Sequence, residues 1–230
     1  MSEGLLEPIY LDEDLLILNK PAGLLSVPGK GPEKQDCLAS RVQMQWPQAL
    51  VVHRLDQATS GLVVMARNPA AQKSMGRLFE TRKIQKTYVA CVSGVPDLTM
   101  DHWSMIELPI AADWVRRPLR VIDHIQGKPA STRWRLAATG EACREVTVDT
   151  PAQAHCRVIL EPLTGRTHQL RVHMQAMGHS ILGDQLYGCE GDESQTKRMF
   201  LHAYRLAFLH PMTGNALVIS APATDRKSVV

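Results

Sequence analysis

Asp56 is the residue of this sequence best placed to do chemistry. It lies in the polar stretch 53–61, between the apolar runs 50–52 and 62–66, which have the composition of buried strands. The stretch therefore predicts a connection at the edge of a sheet, with Arg54 two positions before the aspartate. A carboxylate presented there could attack an electrophilic centre or stabilise positive charge. The alternative is a turn aspartate that caps backbone amides, which is the commoner role of this residue type.

Three further segments accompany this stretch. They are residues 19–26, which include Lys20, residues 86–90, which include Tyr88, and residues 162–173, which include Arg166, His168 and Arg171. In this order, together with 53–61, they resemble the RluA family of RNA pseudouridine synthases over about residues 8–222. Two of the motifs, at 53–56 and 164–171, are long and specific enough that chance is a poor explanation.

The resemblance implies that uridine in RNA is isomerised to pseudouridine. Breaking the bond between ribose and the base nitrogen builds positive charge on the sugar, as in glycoside hydrolysis. One carboxylate beside the anomeric carbon can stabilise or attack that charge, and a uracil anion leaves without a second acid. Since no redox step occurs, we expect neither a cofactor nor a metal.

The resemblance also assigns catalytic roles. It implies that Asp56 is the nucleophile and that Arg171 pairs with it, since a guanidinium orients a carboxylate and lowers its pKa. Tyr88 matches an active-site tyrosine that could stack on uracil and help to move a proton. From the residue types alone, a structural ion pair for Arg171 and a core position for Tyr88 stay open.

Substrate contacts are implied at five further positions. Arg54 is expected to fill the space left when the target uridine is flipped out of its stack. His53 is expected to orient the loop, and Lys20 to shape the wall of the cleft. Arg166 and His168 belong to the third motif and are expected to contact RNA, although His168 could equally be a packed helix residue.

Two other classes of protein compete with this interpretation. An aspartate-nucleophile hydrolase or phosphatase usually needs an Asp-x-Asp motif and further carboxylates for Mg²⁺, and the stretch 53–57 has neither. A basic helix at 69–82 would fit the second class, an RNA-binding protein without catalytic activity. The acidic residues 1–19 and the modest total charge do not favour it.

Composition sets the remaining limits. The formal net charge of the 230 residues is only +3, but residues 30–90 contain ten Lys and Arg against four Asp and Glu, which fits a phosphate-binding surface. The five cysteines form no Cys-x-x-Cys pair, and His168, His173 and His179 lack metal-ligand spacing. No signal peptide or membrane-length apolar run is present, so we expect a cytoplasmic protein.

Strand patterns outnumber helix patterns and do not alternate regularly with them, which predicts an α+β fold. The resemblance implies a single catalytic domain over 1–230, with its core at about 8–222, on a large mixed and mostly antiparallel sheet with a central cleft. It also implies that no S4-like RNA-binding domain is present. Helices are predicted at about 37–46, 69–82 and 167–177. Residues 97–118 are predicted to be irregular, and residues 139–154 a surface loop.

The features of the chain also bear on its partners. The short length, the missing S4-like domain and the segment 113–118 resemble dual-specificity members of the family. That resemblance implies two substrates, a tRNA anticodon stem-loop and a 23S ribosomal RNA loop, recognised by loop shape. A family member acting on only one of these RNAs is the alternative. One site per chain requires no partner subunit, so we expect a monomer.

Overall fold

The computed structural model describes residues 6–97, 102–138, 155–188 and 198–223. It shows an α+β fold with a large, mostly antiparallel sheet and few helices, which confirms the predicted fold class. The helices are α1 (Leu38–Gln45), α2 (Pro69–Glu80) and α3 (Gln169–Ala176). The strands are β1 (Tyr10–Leu11), β2 (Leu15–Lys20), β3 (Leu50–Val51), β4 (Ser60–Ala66), β5 (Gln85–Ser93), β6 (Ser104–Glu107), β7 (Ile110–Ala112), β8 (Arg120–Ile122), β9 (Ser131–Leu136), β10 (His155–Pro162), β11 (Leu201–Leu209) and β12 (Ala216–Ser220).

The chain divides into two compact units. Unit 1 contains Met1–Lys86 and Ala203–Ala221, and unit 2 contains Thr87–His202 and Pro222–Val230. The expectation of a single catalytic domain over 1–230 stays a prediction.

Unit 1 is built around β4. This strand is buried at every position, which explains why its sequence is a continuous apolar run and does not alternate. It pairs antiparallel with β2 and β3, while β1 pairs with β2. Side chains of β2 and β4 pack with Met75 of α2 and with Phe208 of β11 in one core cluster.

Helix α2 begins where the sequence predicts. The Asn68 side chain accepts a hydrogen bond from the Ala71 amide at 2.8 Å, and Pro69 occupies the first turn, where its missing N–H is not needed. Ala71 and Met75, one turn apart, are buried, whereas Lys73 and Arg77 are exposed. The helix therefore turns its apolar side to the core and a basic side to solvent.

Unit 2 contains the antiparallel strand order β5-β10-β9-β6 and a separate two-stranded sheet of β7 and β8. Strand β10 is central and is buried over Val158, Ile159, Leu160 and Glu161. Helix α3 is buried at six consecutive positions, from Gln169 to Met174. A helix buried in this way can hold polar side chains such as Gln169 and Arg171 only if each finds a partner.

The predicted helices are confirmed, with differences at their ends. Helix α3 begins at Gln169 because His168 has left-handed backbone angles, with φ of 57°. The prediction that 97–118 is irregular was wrong in part, since β6 and β7 lie there. Both strands are short, and their partners β9 and β8 come later in the chain, so no local pattern announces them. The predicted loop 139–154 lies outside the described residues.

Candidate active site

The loop that carries Asp56 is fixed in unit 1 by Ser26. The Ser26 hydroxyl donates to the Leu55 carbonyl at 2.7 Å and accepts from the Leu55 amide at 3.0 Å. Both residues are buried, so the two bonds replace water completely at this backbone position. Since Leu55 precedes Asp56 directly, this pair of bonds sets the point from which the Asp56 side chain leaves the backbone.

Lys20 fixes the other side of the same loop. Its side chain is 0% exposed, and its Nζ donates to the carbonyls of Pro21 at 2.9 Å, Leu24 at 2.7 Å and Gln57 at 3.2 Å. Burial lowers the pKa of Lys20 to about 8, and the charge of Asp56 opposes this shift. The three bonds give Lys20 a positioning function for the residue that follows Asp56. Direct contact with substrate stays a prediction.

The segment after Lys20 is tied to the loop by backbone as well. The Gly23 amide donates to the Gln57 carbonyl at 2.8 Å, and the Gln57 side chain donates to the Gly23 carbonyl at 3.0 Å. Gly23 has φ of 88°, a conformation that a side chain would disfavour. The first and second sequence motifs therefore form one hydrogen-bonded structure.

His53 lies at the start of the loop. Its Nε2 accepts from the Val64 amide of β4 at 2.9 Å, and its ring stacks on Phe79 of α2 with centroids 4.5 Å apart. Burial, together with the positive charge of Lys86, lowers the pKa of His53 to about 3. The imidazole is therefore neutral with its proton on Nδ1, which suits a residue that orients the loop and not one that supplies a charge.

Arg54 differs from its neighbours because it points away from the protein. Its side chain is exposed, and among the described residues it makes no hydrogen bond or ion pair. His53 and Leu55 on either side are held by the bonds described above. An exposed guanidinium on a fixed loop is available to a ligand.

In unit 2, Arg171 is bound by Asp184. Its Nε and one Nη donate to the two carboxylate oxygens of Asp184 at 2.7 and 2.6 Å, and the two side chains are 4% and 0% exposed. Asp184 also accepts from the amides of Leu186 and Tyr187 at 3.0 and 3.2 Å. This bidentate pair compensates the buried charges and fixes the guanidinium plane. The predicted pairing of Arg171 with Asp56 stays a prediction.

The ring of Tyr187 packs against the guanidinium of the same arginine. Its ring centroid lies 5.0 Å from the Arg171 guanidinium carbon, and its hydroxyl is 2.7 Å from His168 Nδ1. The Arg120 amide donates to that hydroxyl at 2.8 Å. His168 is therefore held by Tyr187 at the start of α3, and the structure brings two of the predicted residues, His168 and Arg171, onto one tyrosine.

Gln169 fixes the loop before α3. Its side-chain oxygen accepts from Thr164 Oγ1 at 2.7 Å and from the Arg166 amide at 3.0 Å. Its side-chain nitrogen donates to Ser131 and Thr132 of β9 at 2.9 and 3.0 Å. All four hydrogen-bonding positions of this buried amide are used. Arg166, whose Nε donates to the Pro129 carbonyl at 3.2 Å, is presented on a loop that cannot shift freely.

Tyr88 lies in β5, where it is partly buried opposite Leu160 of β10. Its neighbours Thr87 and Val89 are buried and fix the strand around it. The role of Tyr88 in the reaction stays a prediction.

Four residues that fix predicted site residues within their own unit are not among those predicted from the sequence: Ser26 in unit 1, and Gln169, Asp184 and Tyr187 in unit 2. Ser26 and Gln169 stand inside the recognised motifs, but nothing in their spacing reveals partners as far as 38 residues away. For Asp184 the sequence offers one indication: an arginine buried in a helix requires a carboxylate partner, and Asp184 is an acidic residue that follows α3. Asp184 lies eight residues after the end of α3, between the turns at 182–183 and 185–187.

One group of possible metal ligands occurs among the described residues: Asp12, Asp14 and His210. His210 Nδ1 accepts from the amides of Met212 and Thr213 at 3.3 and 3.1 Å, so the proton of its ring lies on Nε2. That nitrogen is 3.0 Å from an Asp12 carboxylate oxygen. A protonated nitrogen cannot ligate a metal, and the group is explained by a histidine–carboxylate contact that joins the β1–β2 turn to the β11–β12 turn.

Comparison with known proteins gives the class to which this fold and site belong. Residues 14–176 match the profile of the family described as RNA pseudouridylate synthase, and the chain belongs to that family. It is therefore an RNA pseudouridine synthase, an isomerase, as the sequence motifs predict.

Individual relatives agree over nearly the whole chain. The protein is 41% identical to the dual-specificity RNA pseudouridine synthase RluA of Escherichia coli K12 over 215 residues, covering 94% of this chain and 92% of that one. It is 44% identical to the protein of the same name from Vibrio vulnificus over 206 residues, covering 89% and 78% of the two chains. The family resemblance predicted from the motifs is confirmed.

Solved structures show the same fold. Human RNA pseudouridylate synthase domain containing 1 superposes with a TM-score of 0.76 at 29% identity, covering 97% of this chain and 86% of that one. Human RNA pseudouridylate synthase domain containing 4 gives 0.69 at 22% identity, with coverages of 95% and 88%. None of the helices in the described residues has the length and apolar composition needed to cross a bilayer.

Proposed function

We propose that this protein isomerises specific uridines to pseudouridine in two RNAs, a tRNA anticodon stem-loop and a 23S ribosomal RNA loop. The observation that carries the proposal is the Asp56 loop, which Ser26 and Lys20 hold on both sides of the aspartate while Arg54 stays exposed. The dual substrate is supported by relatives that are named dual-specificity synthases and are 41–44% identical.

Asp56 acts on the sugar of the target uridine. Its carboxylate stabilises or attacks the anomeric carbon while the bond to the base nitrogen N1 breaks. The base turns, the bond from the anomeric carbon to C5 forms, and the proton of C5 leaves while N1 gains one. A fixed carboxylate favours this step because it needs no reorganisation when the positive charge develops.

Arg54 enters the helical stack of the RNA when the uridine leaves it. An exposed guanidinium is planar and can stack on bases, which compensates part of the cost of flipping. The neighbouring His53 is neutral and bonded to β4, so movement of Arg54 does not displace the loop.

The remaining predicted residues act from unit 2. Arg171 orients the catalytic carboxylate, Tyr88 contacts the base, and Arg166 and His168 contact the RNA backbone near the target. The bonds from Asp184, Tyr187 and Gln169 support this proposal, since they fix each of these positions except Tyr88. The protein works as a monomeric single catalytic domain, and its substrates place it in the cytoplasm.

The test uses an anticodon stem-loop whose uridines carry tritium at C5. Formation of pseudouridine releases that tritium to water. We expect the wild type to release tritium and an Asp56→Glu variant to release it at a strongly reduced rate. Asp56→Asn, which is nearly isosteric and should still bind the RNA, should release none. Turnover by Asp56→Asn would disprove the nucleophile assignment.

The same assay with a 23S ribosomal RNA loop tests the second substrate. Release from only one of the two RNAs would establish a single-substrate synthase. Binding of both RNAs by the wild type without release from either would indicate the competing function, an RNA-binding protein without turnover.

A further inference from the structure

The loop between β7 and β8, residues 113–119, presents a tryptophan to solvent. We call it the Trp114 loop. Trp114 is 71% exposed and Val115 is 94% exposed. Single exposed apolar side chains are common on protein surfaces, so exposure alone assigns no ligand to Trp114, and the contacts around its ring are what matter. None of the residues assigned to the active site lies in this loop.

The conformation of the loop does not depend on Trp114. The Asp113 carboxylate accepts from the amides of Val115 and Arg116 at 3.1 and 2.9 Å, and from Arg116 Nε at 2.8 Å. The loop is closed by bonds from the Asp113 amide to the Leu119 carbonyl and from the Leu119 amide to the Arg116 carbonyl, at 3.0 and 2.9 Å. Polar contacts therefore fix the turn, and the Trp114 side chain is exposed to solvent instead of packing in a core.

Arg117 lies over one face of the Trp114 ring, with its guanidinium carbon 3.9 Å from the ring centroid. This contact orients the indole and brings a positive charge beside it. Because most of the ring surface is exposed, its other face can accept a planar group. An aromatic ring with an arginine at its side is the arrangement by which proteins bind unpaired bases and the adjacent phosphate.

The charge of the loop, taken together with Arg120 at the start of β8, fits the same ligand. Residues 113–120 contain three arginines, Arg116, Arg117 and Arg120, and one acid, Asp113, so their net charge is 3 − 1 = +2. Asp113 is occupied by Arg116 and two amides, as described above. Arg117 is exposed beside the indole.

The loop is connected to the candidate active-site residues of unit 2. The Arg120 amide, where β8 begins, donates to the Tyr187 hydroxyl, which also contacts His168. Tyr187 in turn lies under Arg171. An RNA that reaches Arg171 and His168 therefore lies on the same unit as the Trp114 loop.

We propose that the Trp114 loop is an additional RNA contact, in which Trp114 stacks on an unpaired base and Arg117 binds a neighbouring phosphate. The inference rests on the proposed function, since it takes the substrate to be a stem-loop RNA. A second copy of this chain would be the other occupant for an exposed tryptophan, but the net positive charge of the loop disfavours self-association.

The test compares Trp114→Ala with wild type in the tritium-release assay on the anticodon stem-loop. Loss of one base–aromatic stack should raise KM roughly 5- to 100-fold. The maximal rate at saturating RNA should change less than twofold. Trp114→Phe should restore most of the affinity, because it keeps a stacking ring. Arg117→Gln should lower the slope of log affinity against log salt by roughly 0.7 to 0.9.

The matched control is Ile125→Ala, which removes a 93% exposed apolar side chain from the next loop along the chain, between β8 and β9, and should leave KM unchanged. An unchanged KM for Trp114→Ala beside an active wild type would overturn the inference while leaving the proposed function intact. A wild type that releases no tritium from either RNA would instead defeat the proposed function. A dimer in sedimentation that Trp114→Ala dissociates would assign the loop to self-association and also overturn the inference.

Discussion

Lys20 carries its amino group in a fully buried position beside the loop of Asp56. Three carbonyl oxygens surround the Nζ atom, and no carboxylate touches it directly in the contacts described above. Carbonyl dipoles compensate the lost hydration of an ammonium group only partly, which is why burial lowers the pKa of Lys20. The residue thus combines a structural function with a titration near the physiological range.

The titration of Lys20 predicts a pH dependence of stability. Its pKa falls from 10.5 to about 8 on folding. Below pH 8 both states are protonated and the full cost of burying the cation is present. Between pH 8 and 10.5 the unfolded chain binds more protons, so the free energy of unfolding rises with pH by up to about 1.4 kcal/mol per unit.

Urea unfolding of wild type and Lys20→Met at several pH values measures this effect. Methionine keeps an unbranched chain and removes the titrating group. The difference in unfolding free energy, wild type minus variant, should increase between pH 7.5 and 9.5. A difference that stays constant over this interval would contradict the lowered pKa.

Arg171 illustrates a second residue-level feature, a buried charge that is paired locally. Asp184 and Tyr187 occupy the guanidinium from the edge and from one face. This arrangement explains how a helix buried at six consecutive positions can contain an arginine, and it leaves the orientation of that arginine fixed before any substrate binds.

Among the secondary-structure elements, the glycine of β4 is required by its surroundings, whereas the glycine of α2 is not. Gly61 has φ of 113°, and a Cβ there would lie 2.4 Å from the Ala203 carbonyl oxygen. Gly76 lies in an exposed turn of α2, and a Cβ there would meet nothing within 4 Å. Close approach of two backbones requires the first glycine, and nothing in the structure requires the second.

The two glycines therefore predict changes of opposite sign. Gly61→Ala should lower the free energy of unfolding by about 2–4 kcal/mol through strain and overlap with backbone that cannot move away. Gly76→Ala should raise it by about 0.5–1 kcal/mol, because alanine favours the helix. Urea midpoints of the two variants test this, and a stable Gly61→Ala would show that β4 and β11 can separate without cost.

The sequence predicts elements whose signals are local. Asn68 and Pro69 locate the start of α2 because capping involves neighbouring residues, and the apolar run of β4 identifies a buried strand. Strands β6 and β7 were not predicted, because strands of four and three residues contain too little hydrophobic pattern. Their stability comes from pairing with strands later in the chain.

The candidate site divides in the same way. Asp56 and Arg54 were identified through a recognisable motif, whereas Ser26, Gln169 and Asp184 act across 29, 38 and 13 residues of sequence. Long-range hydrogen bonds of this kind leave no periodicity, so only the folded chain reveals which residues hold the reactive ones in place.

At the scale of the whole molecule, a net charge of +3 conceals an uneven distribution of basic residues. Lys73 and Arg77 lie one turn apart on the exposed side of α2. RNA affinity governed by such local clusters depends strongly on salt even when the total charge is small, because each neutralised phosphate releases counterions.

We expect a Lys73→Gln/Arg77→Gln double variant to reduce the slope of log affinity against log salt by roughly 1 to 2, as for two lost phosphate contacts. Filter binding of the anticodon stem-loop between low and moderate salt measures the slope. The charge-conserving double variant Lys73→Arg/Arg77→Lys should keep it. An equal slope for all three proteins would exclude α2 from the RNA-binding surface.

The exposure of Trp114 also means that its intrinsic fluorescence can be used to follow RNA binding. Of the four tryptophans, Trp134 is 3% exposed and Trp114 is 71% exposed, so we expect Trp114 to emit at the longer wavelength of the two. A nucleobase stacked on an indole quenches its fluorescence. Titration with unlabelled RNA should therefore dim the red edge of the emission spectrum, and stopped-flow recording of that signal would separate RNA docking from the slower bond rearrangement within one turnover.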